Sequence, residues 1–324
     1  MKIKKEFIIL VAIIIALSLY LILRNPDRTN YRLPKVPAVA AKDISRIEIS
    51  REGASIILKK ELDIWHITPQ RYLADAEKAE DMLDAISKLT LTALVSESKD
   101  YGRYDLTPDK KITVKAWTGD TLKRAFEVGK AATSFRHTFV KVDGDHRVYH
   151  AQDNFRDKFD QTLGDLRDKA VLSFNKEEIR EIGLTKGEES IVLSRGELPA
   201  ATDADQDPEV RSQAPPKTET VWKSADGKKA VESEVSGLLA TLSGLRCDTY
   251  IDDRKKEDIT DPISTIQLKG AKEYTISIYD KTDKDEKKYP AISSENDYPF
   301  LLSDWQAEKI MTAPDKIIKK PDES

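Results

Sequence analysis

Between Phe7 and Leu23 the chain reads FIILVAIIIALSLYLIL, 17 positions without a charge, bracketed by Lys4, Lys5 and Arg24. As a helix this run rises about 26 Å, slightly under a hydrocarbon core of roughly 30 Å, with Tyr20 and the flanking cations able to reach the interface. It predicts a transmembrane signal anchor over 7–23 behind a cytoplasmic tail, 1–6. A cleaved secretory signal is the competing reading, but the small residues Ala38–Ala41 lie about fifteen positions past the run, too far for a normal cleavage region. Lys2, Lys4 and Lys5 precede the run while Arg24, Arg28, Arg32 and Lys35 follow it, so the local Lys/Arg balance does not set the orientation. The short tail and large polar body predict a single-pass inner-membrane protein with its body in the periplasm. Pro26, Pro34 and Pro37 make 24–43 an extended stalk.

Beyond the stalk the apolar period becomes two. Ile47 and Ile49 alternate with polar neighbours, Ile56 to Leu58 follow a Glu52-Gly53 turn, and Trp65-His66-Ile67 forms a third strand closing at Pro69. The period then lengthens. Asp75 is placed to cap a helix in which Ala79, Met82, Leu83, Ile86 and Leu89 share one face. Tyr101 to Pro108 is a turn, and strands are predicted over 112–117, 126–128, 138–142 and 148–150. Asp143-Gly144-Asp145 turns the last hairpin, and a short helix follows over 153–163.

The pattern then starts again. Ile191 to Leu193 answer Ile56 to Leu58, and Trp222 answers Trp65. Val235, Leu238, Leu239, Leu242 and Leu245 stand 156 positions after the five apolar residues of the first helix. Ile266 and Leu268 answer Ile112 and Val114, and Asp304 answers Asp153. An internal duplication follows. Its boundaries are predicted at 44–174 and 175–316, with a tail over 317–324. The stretch 199–218 has four prolines, several acids and no apolar period, and reads as a disordered insert within the second repeat. The expected fold class is α+β: a transmembrane helix, then two tandem repeats, each an antiparallel sheet with one long amphipathic helix.

Composition narrows the function classes. Charged residues are 34% of the chain, and the first 35 positions carry seven Lys/Arg against Glu6 and Asp27. With a net charge of −4 overall, the remainder stands at −9, without a basic cluster, which argues against nucleic acid as a partner. Cys247 is the single cysteine, which excludes an intrachain disulfide and a lipid-modified cysteine after the apolar run.

The ordered set of short motifs resembles a known family. Its marks here are the isoleucine-rich opening hairpin, Trp65-His66-Ile67, Ala74-Asp75, Tyr104-Asp105-Leu106-Thr107-Pro108, Leu166-Arg167-Asp168-Lys169 and Val171-Leu172-Ser173-Phe174. The set is similar to the domain-of-unknown-function 4340 family, with one departure: Asp105 stands where that family carries glycine. The resemblance implies a membrane-anchored protein encoded beside gliding-motility-type ABC transporter genes, hence ABC transporter subunits as partners. It supplies no catalytic residues.

Candidate chemistry is sparse. His137, His146 and His150 are close in sequence but lack a fixed Cys or Glu spacing, and the second repeat has no matching histidine. There is no G-x-S-x-G, no S-x-x-K, no glycine-rich phosphate loop, and no histidine near Cys247. Glu80-Asp81 and Asp252-Asp253 read as solvated faces, and Trp65 and Trp222 as anchors of two cores. No catalytic, cofactor-binding or metal-binding residue is assigned. The expected role is a membrane-anchored extracytoplasmic interaction or scaffold protein. The alternative is a cell-envelope enzyme or ligand-binding sensor with its site between the repeats.

Overall fold

In the computed structural model, residues 5–23, 31–199, 218–281, 287–312 and 314–318 are described. The chain divides into two compact units, Met1–Leu166 and Arg167–Ser324. The expected insert, 199–218, falls almost wholly outside the described residues.

Helix α1 (Lys5–Leu23) takes in Lys5 and Glu6 ahead of the apolar run. Among the described residues no helix is long and apolar enough to cross a membrane. This corrects the expected transmembrane helix, and length is the physical reason: the uncharged stretch ends at about 26 Å against a core of roughly 30 Å.

The first unit continues with strands β1 (Arg46–Arg51), β2 (Ala54–Glu61), β3 (Ile64–Thr68) and β4 (Tyr72–Leu73), then helix α2 (Ala76–Ser87). Strands β5 (Leu91–Ser96), β6 (Ile112–Thr118), β7 (Thr121–Ala131), β8 (His137–Val142) and β9 (Val148–Gln152) follow, then short helices α3 (Arg156–Phe159) and α4 (Leu163–Leu166). The strands form one sheet in the order β4-β3-β2-β1-β6-β7-β8-β9-β5, every pairing antiparallel. Glu52 and Gly53 both have positive φ, the geometry that lets a two-residue turn match the strand twist, and Arg51 pairs with Ala54 across it. Ile47, Ile49, Leu58 and Ile67 put alternate positions into a core shared with Ala79, Met82 and Ile86 of α2. Asp75 caps α2 by accepting from the Glu77 and Lys78 N–H groups at 3.1 and 3.3 Å.

The second unit contains β10 (Ala170–Ser173), β11 (Glu181–Lys186), β12 (Glu189–Pro199), β13 (Thr218–Ser224), helix α5 (Glu232–Leu242), β14 (Gly244–Arg246) and β15 (Thr249–Tyr250). After them come β16 (Ser264–Lys269), β17 (Glu273–Ile278), β18 (Lys288–Ser293), β19 (Phe300–Ser303) and helix α6 (Asp304–Ile310). Its main sheet runs β13-β12-β11-β16-β17-β18-β19-β15, which is the first unit's order from β3 to β5 strand for strand; β10 and β14 form a separate pair. Val235, Leu238, Leu239 and Leu242 are buried, as are Trp65 and Trp222 at 7% exposure each. The backbone repeats too: Ala74 N–H donates to Trp65 O, and Ala230 N–H to Trp222 O.

The α+β expectation of one long amphipathic helix per repeat is corrected. Antiparallel sheets dominate, and α2 and α5 have only 12 and 11 residues. The reason lies at Leu89 and Leu245. Both continue the apolar spacing of their helices, yet both lie beyond the helix end, and Leu245 belongs to β14. Buried positions past the helix end, one in a connecting segment and one in a strand, extended a pattern that the helix had already left.

Candidate functional site

The histidines do not assemble a metal centre. His137 and His150 stack with ring centroids 5.2 Å apart, and Phe139 lies 4.9 Å from His150. His146 contributes its backbone carbonyl, accepting from the Tyr101 hydroxyl at 3.0 Å. Among the described residues no group of three or more His, Cys, Asp or Glu could hold a metal ion. Burial, and then the neighbouring His137, hold His150 below the usual histidine range. Cys247 is buried, and desolvation pushes its thiol up to about 11, the state of a packed cysteine rather than a nucleophile. Glu80, Asp81, Asp252 and Asp253 are not gathered into a carboxylate pair of their own: Asp81 meets Lys158 and Asp252 meets Arg167. Of the tryptophans, Trp65, Trp117 and Trp222 are buried, while Trp305 is 67% exposed beneath the Lys309 ammonium.

Two buried arginines, to which the sequence patterns attach no role, tie together segments of the two units, one in each. Arg167, 3% exposed, places its guanidinium 3.5 Å over the Tyr250 ring and 4.3 Å from that of Tyr298, and donates to Asp252 at 2.8 Å. The Tyr250 hydroxyl donates to Asp168 O at 2.8 Å, and Cys247 N–H donates to Lys169 O at 2.8 Å. These contacts carry Leu166–Lys169 into β10, which pairs with β14 directly after α5.

Arg124 does the corresponding work in the first unit by different means. It is 6% exposed, and Nη1 donates to Ile86 O and to Ser87 O, at the C-terminus of α2, where the helix dipole favours a cation. Nη2 donates to Pro37 O. Burial draws its pKa down. The segment so held, 31–40, packs Leu33, Val36 and Val39 onto the core of the first unit. Tracing the repeat upstream explains it. The 3-10 turns Ala41–Asp43 and Lys176–Glu178, and Ile44 and Ile179 after them, share one offset of 135. At that offset Val36 answers Val171, Pro37 answers Leu172 and Val39 answers Phe174. Phe174 N–H reaches Ser243 O, and Ser87, the counterpart of Ser243, receives Arg124 instead. Positions 31–40 are therefore the first unit's version of β10. Between them and the body lies a cavity of about 380 Å³, lined by Pro34, Val36, Pro37, Leu89, Arg124 and Val142 among others.

The family's Tyr-x-Leu-x-Pro motif has a comparable structural role. Leu106 is buried and Tyr104 packs on Phe139, 4.9 Å between centroids. A Cβ on Gly129 would stand 2.2 Å from Tyr104 O, so only glycine lets this loop lie on β7. Asp105 has φ +53, the left-handed conformation that glycine adopts without cost.

A family model described as a domain of unknown function, DUF4340, matches residues 65–269, more than half of the chain. The chain belongs to this family. The DUF4340 match begins at Trp65 in β3 of the first unit and ends at Lys269 in β16 of the second, so it spans parts of both copies. No curated protein and no solved structure matches the chain.

Proposed function

We propose that this DUF4340 protein is a membrane-anchored extracytoplasmic interaction or scaffold protein, an accessory to an ABC transporter assembly. The observation that carries the reading is the duplicated sheet. Two units share one strand order, and the perturbed groups Asp145, Cys247 and Tyr250 are engaged in packing, hydrogen bonds and ion pairs within the fold. The uncharged run Phe7–Leu23 supports attachment at a membrane, where tethering raises effective concentration for weak contacts. The transporter as partner rests on the family resemblance. The test is crosslinking in native membranes at native expression followed by affinity recovery. Enrichment of transporter subunits is expected, and their absence would remove that partner.

A ligand-binding sensor is the second reading. A groove of about 950 Å³ in the second unit is floored by Ile191, Val192, Pro314 and Ile318 and rimmed by Asp226 and Lys228. Its size suits a small amphiphile. Thermal shifts of the full chain against a panel of small apolar ligands, compared with Val192→Asp, distinguish this reading from the first.

A further inference from the structure

The two versions of the opening segment differ in how they are attached. In the second unit β10 is a paired strand, with Ala170 opposite Arg246, Leu172 opposite Leu245 and Ser173 opposite Gly244. Cys247 N–H to Lys169 O extends the ladder by one step. In the first unit Pro34 stands at the position of Lys169 and Pro37 at that of Leu172. Neither carries an N–H, so the equivalent ladder against 88–91 would lack two donors. Among the described residues, the bond from Arg124 to Pro37 O is the hydrogen bond that holds positions 31–39. The cavity of about 380 Å³ lies beside Pro37 and Leu89, the counterparts of Leu172 and Leu245. One copy thus shows a strand seated in this place, and the other shows the place incompletely filled by an unpaired segment that lacks two donors.

We propose that residues 31–40 are a displaceable strap, and that the seat beneath them accepts an extended strand from a partner protein. The fitting strand resembles Lys169–Phe174: free of proline, with apolar side chains facing Leu89 and the α2 end, and backbone N–H groups where the strap has none. Arg124 is suited to the exchange, since its bonds to Ile86 O and Ser87 O persist while Nη2 passes from Pro37 O to a carbonyl of the incoming strand. Strand addition of this kind takes affinity from the main chain and selectivity from alternate side-chain pockets. The proposal rests on the interaction reading and specifies the partner as a chain offering an unpaired strand.

The test uses the full-length chain, a synthetic KAVLSF peptide copied from Lys169–Phe174, and hydrogen exchange read by mass spectrometry. The peptide should slow exchange across 88–91 and speed it at Val36, Ala38 and Val39, while a peptide with proline in place of its leucine should do neither. Val36→Ser with Val39→Ser, which loosens the strap while leaving Arg124 to meet the incoming strand, should tighten peptide binding roughly tenfold. If that double variant does not fold, Val36→Ser alone loosens the strap in the same sense without touching the helix end. Lack of protection at 88–91 in wild type and in the loosened variant, at saturating peptide, overturns strand addition. Should crosslinking still recover a partner, the interaction reading survives that result; peptide binding without any membrane partner would have the opposite meaning.

Discussion

Asp145 illustrates how single residues are committed in this protein. Its carboxylate accepts from the Arg147 side chain at 2.8 to 3.2 Å, from the Arg147 N–H at 2.9 Å, and from the buried Tyr149 hydroxyl at 2.7 Å. The Arg147 hydrogen bonds hold it far below the usual carboxylate range. Because the folded pKa is depressed, its contribution is complete above the unfolded value near 3.8 and fades as pH falls toward the folded one. Asp145→Asn should lower stability by about 1–2 kcal/mol near neutral pH. Urea midpoints at pH 7 and pH 3 check this, since the gap between variant and wild type should narrow once the pH falls below the unfolded value. His150 is also depressed, by burial first and by His137 second. The folded state therefore holds fewer protons than the unfolded chain just below pH 6.5, and stability falls as pH drops through that window. Replacing His150 with Phe should flatten the dependence of the melting temperature between pH 7 and 5; an unchanged slope would place the titration elsewhere.

At the scale of elements, each helix end is tied to the segment that opens its unit, by a strand in one copy and by an arginine in the other. Met82 sits in the centre of the α2 contact with no exposed surface. Truncating it to Ala should cost about 2–5 kcal/mol, measurable by chemical denaturation, whereas Leu83→Ala, at a partly buried site, should cost less. The loop Tyr101–Pro108 depends on one glycine. Adding a methyl group at Gly129 puts a Cβ 2.2 Å from Tyr104 O and 3.2 Å from Phe139 O, both backbone atoms that cannot rotate away. Gly129→Ala should therefore displace the loop, expose Leu106 and raise proteolysis at Tyr101–Pro108 before the sheet itself unfolds.

On the scale of the whole molecule, each unit has its own core, one centred on Ile47, Phe126 and Met82, the other on Ile182, Leu239 and Phe300. A fragment spanning 31–166 should fold alone with a single cooperative transition, and one starting at 44 should be less stable, because it loses Leu33, Val36 and Val39. Equal denaturation midpoints for the two fragments would show that the opening segment is a mere spacer. The duplication also explains why recognisable chemistry is scarce: the residues that repeat between copies, such as Trp65 and Trp222 or Ile44 and Ile179, are buried in the cores.

Much of the architecture was legible from spacing alone. Apolar runs located the strands around Ile47 and Ile191, a turn was readable in Glu52-Gly53, and a constant offset of 156 exposed the second copy. These signals survive in sequence because they come from local backbone geometry and from which face is buried. Helix length was not legible, because Leu89 and Leu245 are apolar for the sake of the core after the helix has ended. Nor was the role of 31–40, since its prolines read as a free stalk when its apolar residues are considered without the surface they meet. Arg124 looked like one among many charges, and Arg167 stood in a family motif without a role attached. Only the tertiary structure gives them roles, because a guanidinium's role depends on which carbonyls and rings the fold brings within its reach, and no spacing along the chain records that.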